Sequence, residues 1–301
     1  MNVFLQGQGW VSLSQNDFVA TGGQASVWVK GGMAYKVYTD PRDAIPPEKF
    51  QALSVISDLA VIKPKTLLLD RTGARIGYAM DAVSAPYSLC QLFAQPFRDR
   101  HKLGPEKIPL LAGKLRSHIL NVHRAGIQVV DLNELNVLVP DTFDETFLID
   151  VDSFQTPMFR VTALMPSVQD WSVTKVSSKS SRPVYEATEL SDWYSYAVLA
   201  FWLFVGAHPF KGGLIHPEIS SVPKDERMTW RMQRNLSAFR PEASLPPCCP
   251  PLSSIPTHLK DWLAAVLDEG KRMPPPDPGT MPAAVPVRTA PRALSSAGEL
   301  L

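Results

Sequence analysis

The chain has 301 residues, 45% of them hydrophobic and 20% charged, the profile of a globular protein with a core sized for one two-lobed domain or two small ones. A formal net charge of +1 gives no field suited to a polyanion, which argues against nucleic acid as the main partner. Cys248 and Cys249 are adjacent, a pairing that strains a disulfide, and Cys90 has no obvious mate; the six histidines show no metal-ligand spacing. A reduced, cytoplasmic protein without structural zinc is expected. Residues 1–17 lack the basic and apolar regions of a secretory signal. The best apolar run, residues 196–206, is about half of the ~20 residues that span a bilayer, so no membrane association is expected.

In chain order, two β-like runs, 27–30 and 34–38, flank Gly31-Gly32 and predict a tight hairpin. Prolines followed by apolar residues at helical spacing predict a helix over 46–60. A second hairpin is expected over 66–80, turning at Thr72-Gly73. From Pro105 the pattern becomes helical: residues 106–126 set Ile108, Leu111, Leu115, Ile119 and Val122 on one face, with Gly126 near the end. Two short strands follow, 136–139 and 146–151. Residues 191–206 are apolar nearly all round, as in a helix at a lobe centre, and 257–270 predict a last helix. The Pro- and Ala-rich stretch after Pro274 cannot bury enough apolar surface to order itself, so 276–301 is expected to be a flexible tail. The fold class is therefore α+β: a β-rich first lobe of about 1–83 with one helix, then a mainly helical lobe of about 84–275, with the boundary near 84–87.

One constellation carries chemistry. Asp131-Leu132-Asn133-Glu134-Leu135-Asn136 is followed by a strand and then by Leu148-Ile149-Asp150. Phosphoryl transfer asks little covalent chemistry of a protein but needs a carboxylate to orient the attacking hydroxyl, and an amide and a second carboxylate to hold Mg²⁺ on the phosphates. Asp131, Asn136 and Asp150 meet those needs in order and spacing.

Here the sequence resembles the protein-kinase superfamily, as a divergent Ser/Thr kinase-like domain of bacterial or phage type, whose catalytic loop ends in D-L-x-x-x-N. Ala34-Tyr35-Lys36 matches the strand with the phosphate-binding lysine. Residues 20–27, with Gly22, Gly23 and Val27, sit where the Gly-rich loop belongs. Ser191-Asp192-Trp193, Gly206-Ala207-His208-Pro209-Phe210 and Gly270-Lys271-Arg272 look like later landmarks of the family. The resemblance spans about residues 20–275. It implies ATP and Mg²⁺ binding and phosphotransfer to a Ser or Thr of a protein substrate. Asp131 would orient the hydroxyl, Asn136 and Asp150 hold metal, and Lys36 meet the phosphates. It further implies a helix glutamate as partner of Lys36, for which Glu48 is the candidate, and a hinge at Met80, Asp81 and Val83 against the adenine. Asp192 would anchor the catalytic-loop backbone.

The departures are equally specific. Ala20 and Ala25 replace the flanking glycines of the phosphate loop, and Val129-Val130 replaces the His-Arg before the catalytic aspartate. Without that arginine, activity should not depend on phosphorylation between Ser153 and Ser181. Asn133 occupies the usual lysine position. Asp152 stands where the metal-binding triplet normally has glycine, either as a second metal ligand or as a solvated loop carboxylate. No Ala-Pro-Glu motif is evident, leaving Glu186 and Glu189 as acidic candidates. Two alternatives stay open: a pseudokinase that binds nucleotide without turnover, and a small-molecule kinase.

Overall fold

The computed structural model describes residues 1–176 and 184–276. The expected tail beyond residue 276, and the end of the Ser/Thr-rich run at 172–181, lie outside the described residues.

The first lobe is a seven-stranded antiparallel sheet built from β1 (Asn2–Leu5), β2 (Gly9–Ser12), β3 (Phe18–Thr21), β4 (Ala25–Lys30), β5 (Met33–Tyr38), β6 (Thr66–Leu69) and β7 (Arg75–Asp81). Its order is β2-β1-β6-β7-β5-β4-β3. Both expected hairpins form. Gly31 and Gly32 have φ of 58° and 78°, the left-handed values that a two-residue turn requires and that glycine adopts without a Cβ penalty. The sheet has one strand pair that the sequence reading lacked. β1 and β2 form a hairpin laid along β6, with Val3, Leu5 and Leu13 packed against Tyr35, Leu68 and Ala79.

Helix α1 (Pro47–Ser54) starts where expected but ends six residues early. Beyond the helix end, Asp58 is engaged by other parts of the chain. Its carboxylate accepts from the Ala60 amide at 2.9 Å and from Asn121 at 2.7 Å, and pairs with His118 at 2.8 Å.

The second lobe begins with β8 (Tyr87–Ser88), which joins a three-stranded sheet with β9 (Val137–Val139) and β10 (Phe147–Leu148). Around it lie α2 (Gln95–His101), α3 (Lys107–Arg124), the antiparallel pair β11 (Thr174–Val176) and β12 (Val184–Glu186), and α4 (Glu189–Val205). The β13 (Gly213–Leu214) and β14 (Ala243–Ser244) pair, α5 (Arg227–Gln233) and α6 (Thr257–Leu267) complete it. The apolar face of α3 meets α4 as its spacing predicts: Leu111, Ile119 and Val122 are fully buried. α4 is buried nearly all round and stops at Gly206, whose φ of 76° gives the left-handed helix end. Among the described residues no helix is long and apolar enough to cross a membrane.

Two backbone bonds tie the lobes together: the Ile62 amide donates to Leu148, and the Leu148 amide to Ala60, both at 2.8 Å. The strand leading to Asp150 is thereby fixed to the segment after α1.

Candidate active site

Strand alternation sets the upper wall of the cleft. Lys36 and Tyr38 lie two apart on β5 and share a face, and Tyr78 of β7 stands directly opposite Lys36 in the ladder. The strand is central, so these side chains point into the interior and Lys36 is only 8% exposed.

The lower wall is the loop from Val129 to Asn136. Asp192, fully buried on α4, accepts from the Val129 and Val130 amides at 2.7 Å each and from His123 Nε2 at 2.8 Å. That grip holds Val130 at φ 61°, a conformation costly for a β-branched residue. Asp131 follows immediately. Each of its carboxylate oxygens accepts from an amide, Asn133 Nδ2 at 3.0 Å and Asn136 Nδ2 at 3.1 Å. Asn133 is itself buried, and its Oδ1 accepts from the Leu135 and Asn136 amides at 2.9 and 3.2 Å. It organises the turn rather than reaching into the cleft, a role that Asn-x-x turn chemistry suggests once the residue is known to be buried.

Asn136 has its nitrogen committed to Asp131, which leaves its carbonyl oxygen to accept a hydrogen bond or bind a cation. Its backbone oxygen accepts from the Ile149 amide at 3.0 Å, which brings Asp150 alongside. Asp150 has φ 61° and ψ 35°, and its side chain is 38% exposed toward the cleft. Lys36 Nζ bridges the two walls by donating to Asp150 Oδ1.

Lys36, Asp131, Asn136 and Asp150, with Gly22, Gly23 and Val27, line one cavity of about 710 Å³ between the lobes. Ala34, Met80 and Val83 are not among its lining residues; Ala34 and Met80 are buried in the apolar cluster against which Val27, Val83 and Ile149 pack. The Asp81 side chain faces solvent and pairs with Lys65 at 2.6 Å. Neither Gly22 nor Gly23 has a left-handed φ, a Cβ on Gly23 would meet nothing within 4 Å, and one on Gly22 would meet only Ala25 O at 3.7 Å. Their lack of side chain is thus not required by protein packing.

Two expectations are corrected. Glu48 does not meet Lys36: it sits in the first turn of α1 and is exposed. One residue on, about 100° around the helix, Lys49 faces the cleft and donates from Nζ to the Asp152 carbonyl. Nor is Asp152 a solvated loop carboxylate. Its side chain is 9% exposed and accepts from Lys36 Nζ at 2.8 and 2.9 Å, from Tyr78 OH at 2.6 Å and from Tyr38 OH.

The electrostatics follow from this packing. Burial opposes the charge of Lys36, but Asp152 and Asp150 outweigh it and hold its pKa above the ordinary lysine value. Burial alone would raise Asp152; Lys36 and the tyrosine hydroxyls bring it below the usual carboxylate range. Burial pushes Asp131 up to about 6, with the charge of Asp150 adding to it and the two asparagine amides opposing it. Burial also lowers Lys49.

The arginine near the domain end has a partner that the sequence did not point to: Arg272 binds Asp170 through Nε at 2.6 Å and Nη2 at 2.8 Å.

Among the described residues no group of three or more His, Cys, Asp or Glu side chains forms a metal cage. Mg²⁺ shared with substrate phosphates needs only one or two carboxylates and hard oxygen donors, and the Asp150 carboxylate with the free Asn136 oxygen fits that demand.

The two lobes, the cleft between them and the loop order define a protein-kinase fold. No protein-family model matches the sequence, and no curated protein matches it. Among solved structures, it is similar to ROP2 of Toxoplasma gondii, described as a virulence factor with a protein-kinase fold and no enzymatic activity. The TM-score is 0.57 at 12% identity, over 92% of this chain and 81% of that one. A rhoptry kinase from Toxoplasma gondii gives 0.54 at 13% identity, over 93% and 80%. Identity this low speaks to the fold alone.

Proposed function

We propose that the chain is an ATP- and Mg²⁺-dependent phosphotransferase of the Ser/Thr protein-kinase type, with residues 1–275 as its catalytic domain and a hydroxyl of a protein as acceptor. One observation carries the reading: Lys36 from the upper lobe and Asp131, Asn136 and Asp150 from the lower converge on a single cavity. Lys36 pairs with the nucleotide phosphates, which take over the ammonium that Asp150 now accepts. Gly22 and Gly23 leave room on the cavity wall for phosphate oxygens. Val27, Ala34, Met80 and Val83 supply the apolar surround for a base, with backbone groups of Asp81 and Val83 at its edge. Asp150 and the Asn136 oxygen hold Mg²⁺, which when bound neutralises charge on the phosphates. Asp131 accepts the hydroxyl hydrogen of the acceptor and aims its oxygen. Three free thiols, Cys90, Cys248 and Cys249, suit a reduced, cytoplasmic setting.

A second reading, nucleotide binding without turnover, is favoured by the Val129-Val130 pair and by the direct contact of Lys36 with Asp150. Incubation with labelled ATP and Mg²⁺, alone and with generic acceptor proteins, separates the two. Label transfer that disappears in Asp150→Ala supports the enzyme; metal-dependent nucleotide binding with no transfer supports the second reading.

A further inference from the structure

We propose that Asp152 is the positioning carboxylate for Lys36, filling the part for which a glutamate on α1 was expected. The inference rests on the reading of Lys36 as the phosphate contact.

The geometry gives Asp152 no other employment. An ionised carboxylate has about four lone-pair sites. Lys36 Nζ lies at 2.8 and 2.9 Å from the two oxygens, Tyr78 OH occupies Oδ1 at 2.6 Å, and Tyr38 OH occupies Oδ2. All four sites are filled by donors from β5 and β7. Its oxygens are thus engaged from within the protein, and burial rules out the solvated role.

The α1 side of the cleft points the same way. The helix turns Lys49, not an acid, toward this spot, and Lys49 donates to the Asp152 carbonyl. Without a carboxylate between them, Lys36 and Lys49 would face each other as like charges in a poorly solvated site. Asp152 accommodates both, one at its side chain and one at its backbone.

The anchor therefore travels with the turn that also carries Asp150, two residues away, and not with the helix. Lysine placement and metal placement become properties of one turn, and α1 contributes no carboxylate whose withdrawal could release Lys36.

The test is a double-mutant cycle read as Mg-ATP affinity: wild type, Lys36→Met, Asp152→Asn and the double variant, each checked by thermal melting. Asp152→Asn should weaken Mg-ATP binding by about ten-fold or more, the scale of a lost charge-assisted contact. In the Asp152→Asn background, Lys36→Met should cost little further, because an unanchored lysine already contributes little. A carboxylate that only stabilises the fold would leave the effect of Lys36→Met the same in both backgrounds, and that result overturns the proposal. Glu48→Gln should bind as wild type; a loss as large as that of Asp152→Asn also overturns it. If Asp152→Asn does not fold, the Tyr38→Phe/Tyr78→Phe double variant replaces it in the cycle, with the same expected non-additivity and the same disproof. Lys36→Met binding as tightly as wild type in the otherwise unaltered chain would instead overturn the phosphate reading itself, and so is distinguishable.

Discussion

Arg272 grips Asp170 with two parallel hydrogen bonds across 102 residues of sequence, one fork of the guanidinium on each carboxylate oxygen. Asp170 is 4% exposed and also accepts from the Ser172 amide at 2.9 Å, while the guanidinium lies 4.4 Å from the Tyr194 ring centroid. The pair ties the segment after α6 to the loop that leads into β11. Removing one partner leaves a buried charge without its counter-ion, which costs about 3–5 kcal/mol. Arg272→Ala and Asp170→Asn should both lower the midpoint of urea unfolding strongly. Arg272→Lys should recover little, since a lysine cannot make both bonds. A midpoint within error of wild type for Arg272→Ala would remove the pair from the list of structural clamps.

The two cleft carboxylates should separate kinetically. Asp150 is open to the metal, so Asp150→Ala should weaken Mg-dependent ATP binding as well as turnover. Asp131 interacts mainly with the acceptor hydroxyl in the transition state, so Asp131→Asn should leave ATP affinity nearly unchanged while the rate falls. Calorimetry beside a phosphotransfer assay checks this. Equal losses of affinity in both variants would show that the two carboxylates are wrongly assigned.

The pH dependence has a definite sign. Asp131 must be ionised to accept a hydroxyl hydrogen, and its pKa is raised to about 6 by burial first and by Asp150 second. The rate should therefore be level at neutral pH and fall as pH drops through about 6. Metal at Asp150 offsets the neighbouring charge, so saturating Mg-ATP should move that limb downward. For stability the same shift works oppositely: because the folded value lies above the unfolded one, the contribution of this group is full below the unfolded value and lost as pH rises through about 6. Rate profiles at low and saturating Mg-ATP would test the first part, and a rate that stays level down to pH 5 at low Mg-ATP would contradict it.

Gly77 should be intolerant of a methyl group. A Cβ there would stand 1.9 Å from the Lys36 carbonyl oxygen and 3.0 Å from its carbon, both backbone atoms of the central strand. Gly77→Ala must push β7 from β5 just where Lys36 is presented. Lower thermal stability and weaker Mg-ATP binding should appear together. Gly113→Ala, where the added carbon meets nothing within 4 Å in mid-α3, serves as the control. Matching melting temperatures for the two alanine variants would count against the steric account.

Local patterns made much of this readable from sequence. The Gly31-Gly32 turn, the α3 stripe and the all-apolar α4 are each set by residues within a few positions of one another. The Asp131-to-Asn136 spacing was legible because a single short loop carries it. The partner of Lys36 was not legible, because helix phase decides between Glu48 and Lys49, and two prolines at the start of α1 leave that phase open. Asp152 was misjudged for a related reason. Its burial depends on Tyr38 and Tyr78, whose hydroxyls arrive from strands 114 and 74 residues away. A separation of 102 residues from Arg272 likewise hid Asp170. β1 and β2, four residues each, are too short for alternation to stand out.

The β1–β2 hairpin bears on how this protein must be handled. It occupies the flank of β6 that would otherwise present bare amides and carbonyls, and its Val3 and Leu5 seal the underside of Tyr35, the neighbour of Lys36. A truncation that begins at the first motif residue, near Ala20, would keep every candidate catalytic side chain and still open a sticky strand edge. Such a fragment should precipitate or bind nucleotide poorly, and its silence in an assay would report a broken sheet, not an inert cleft.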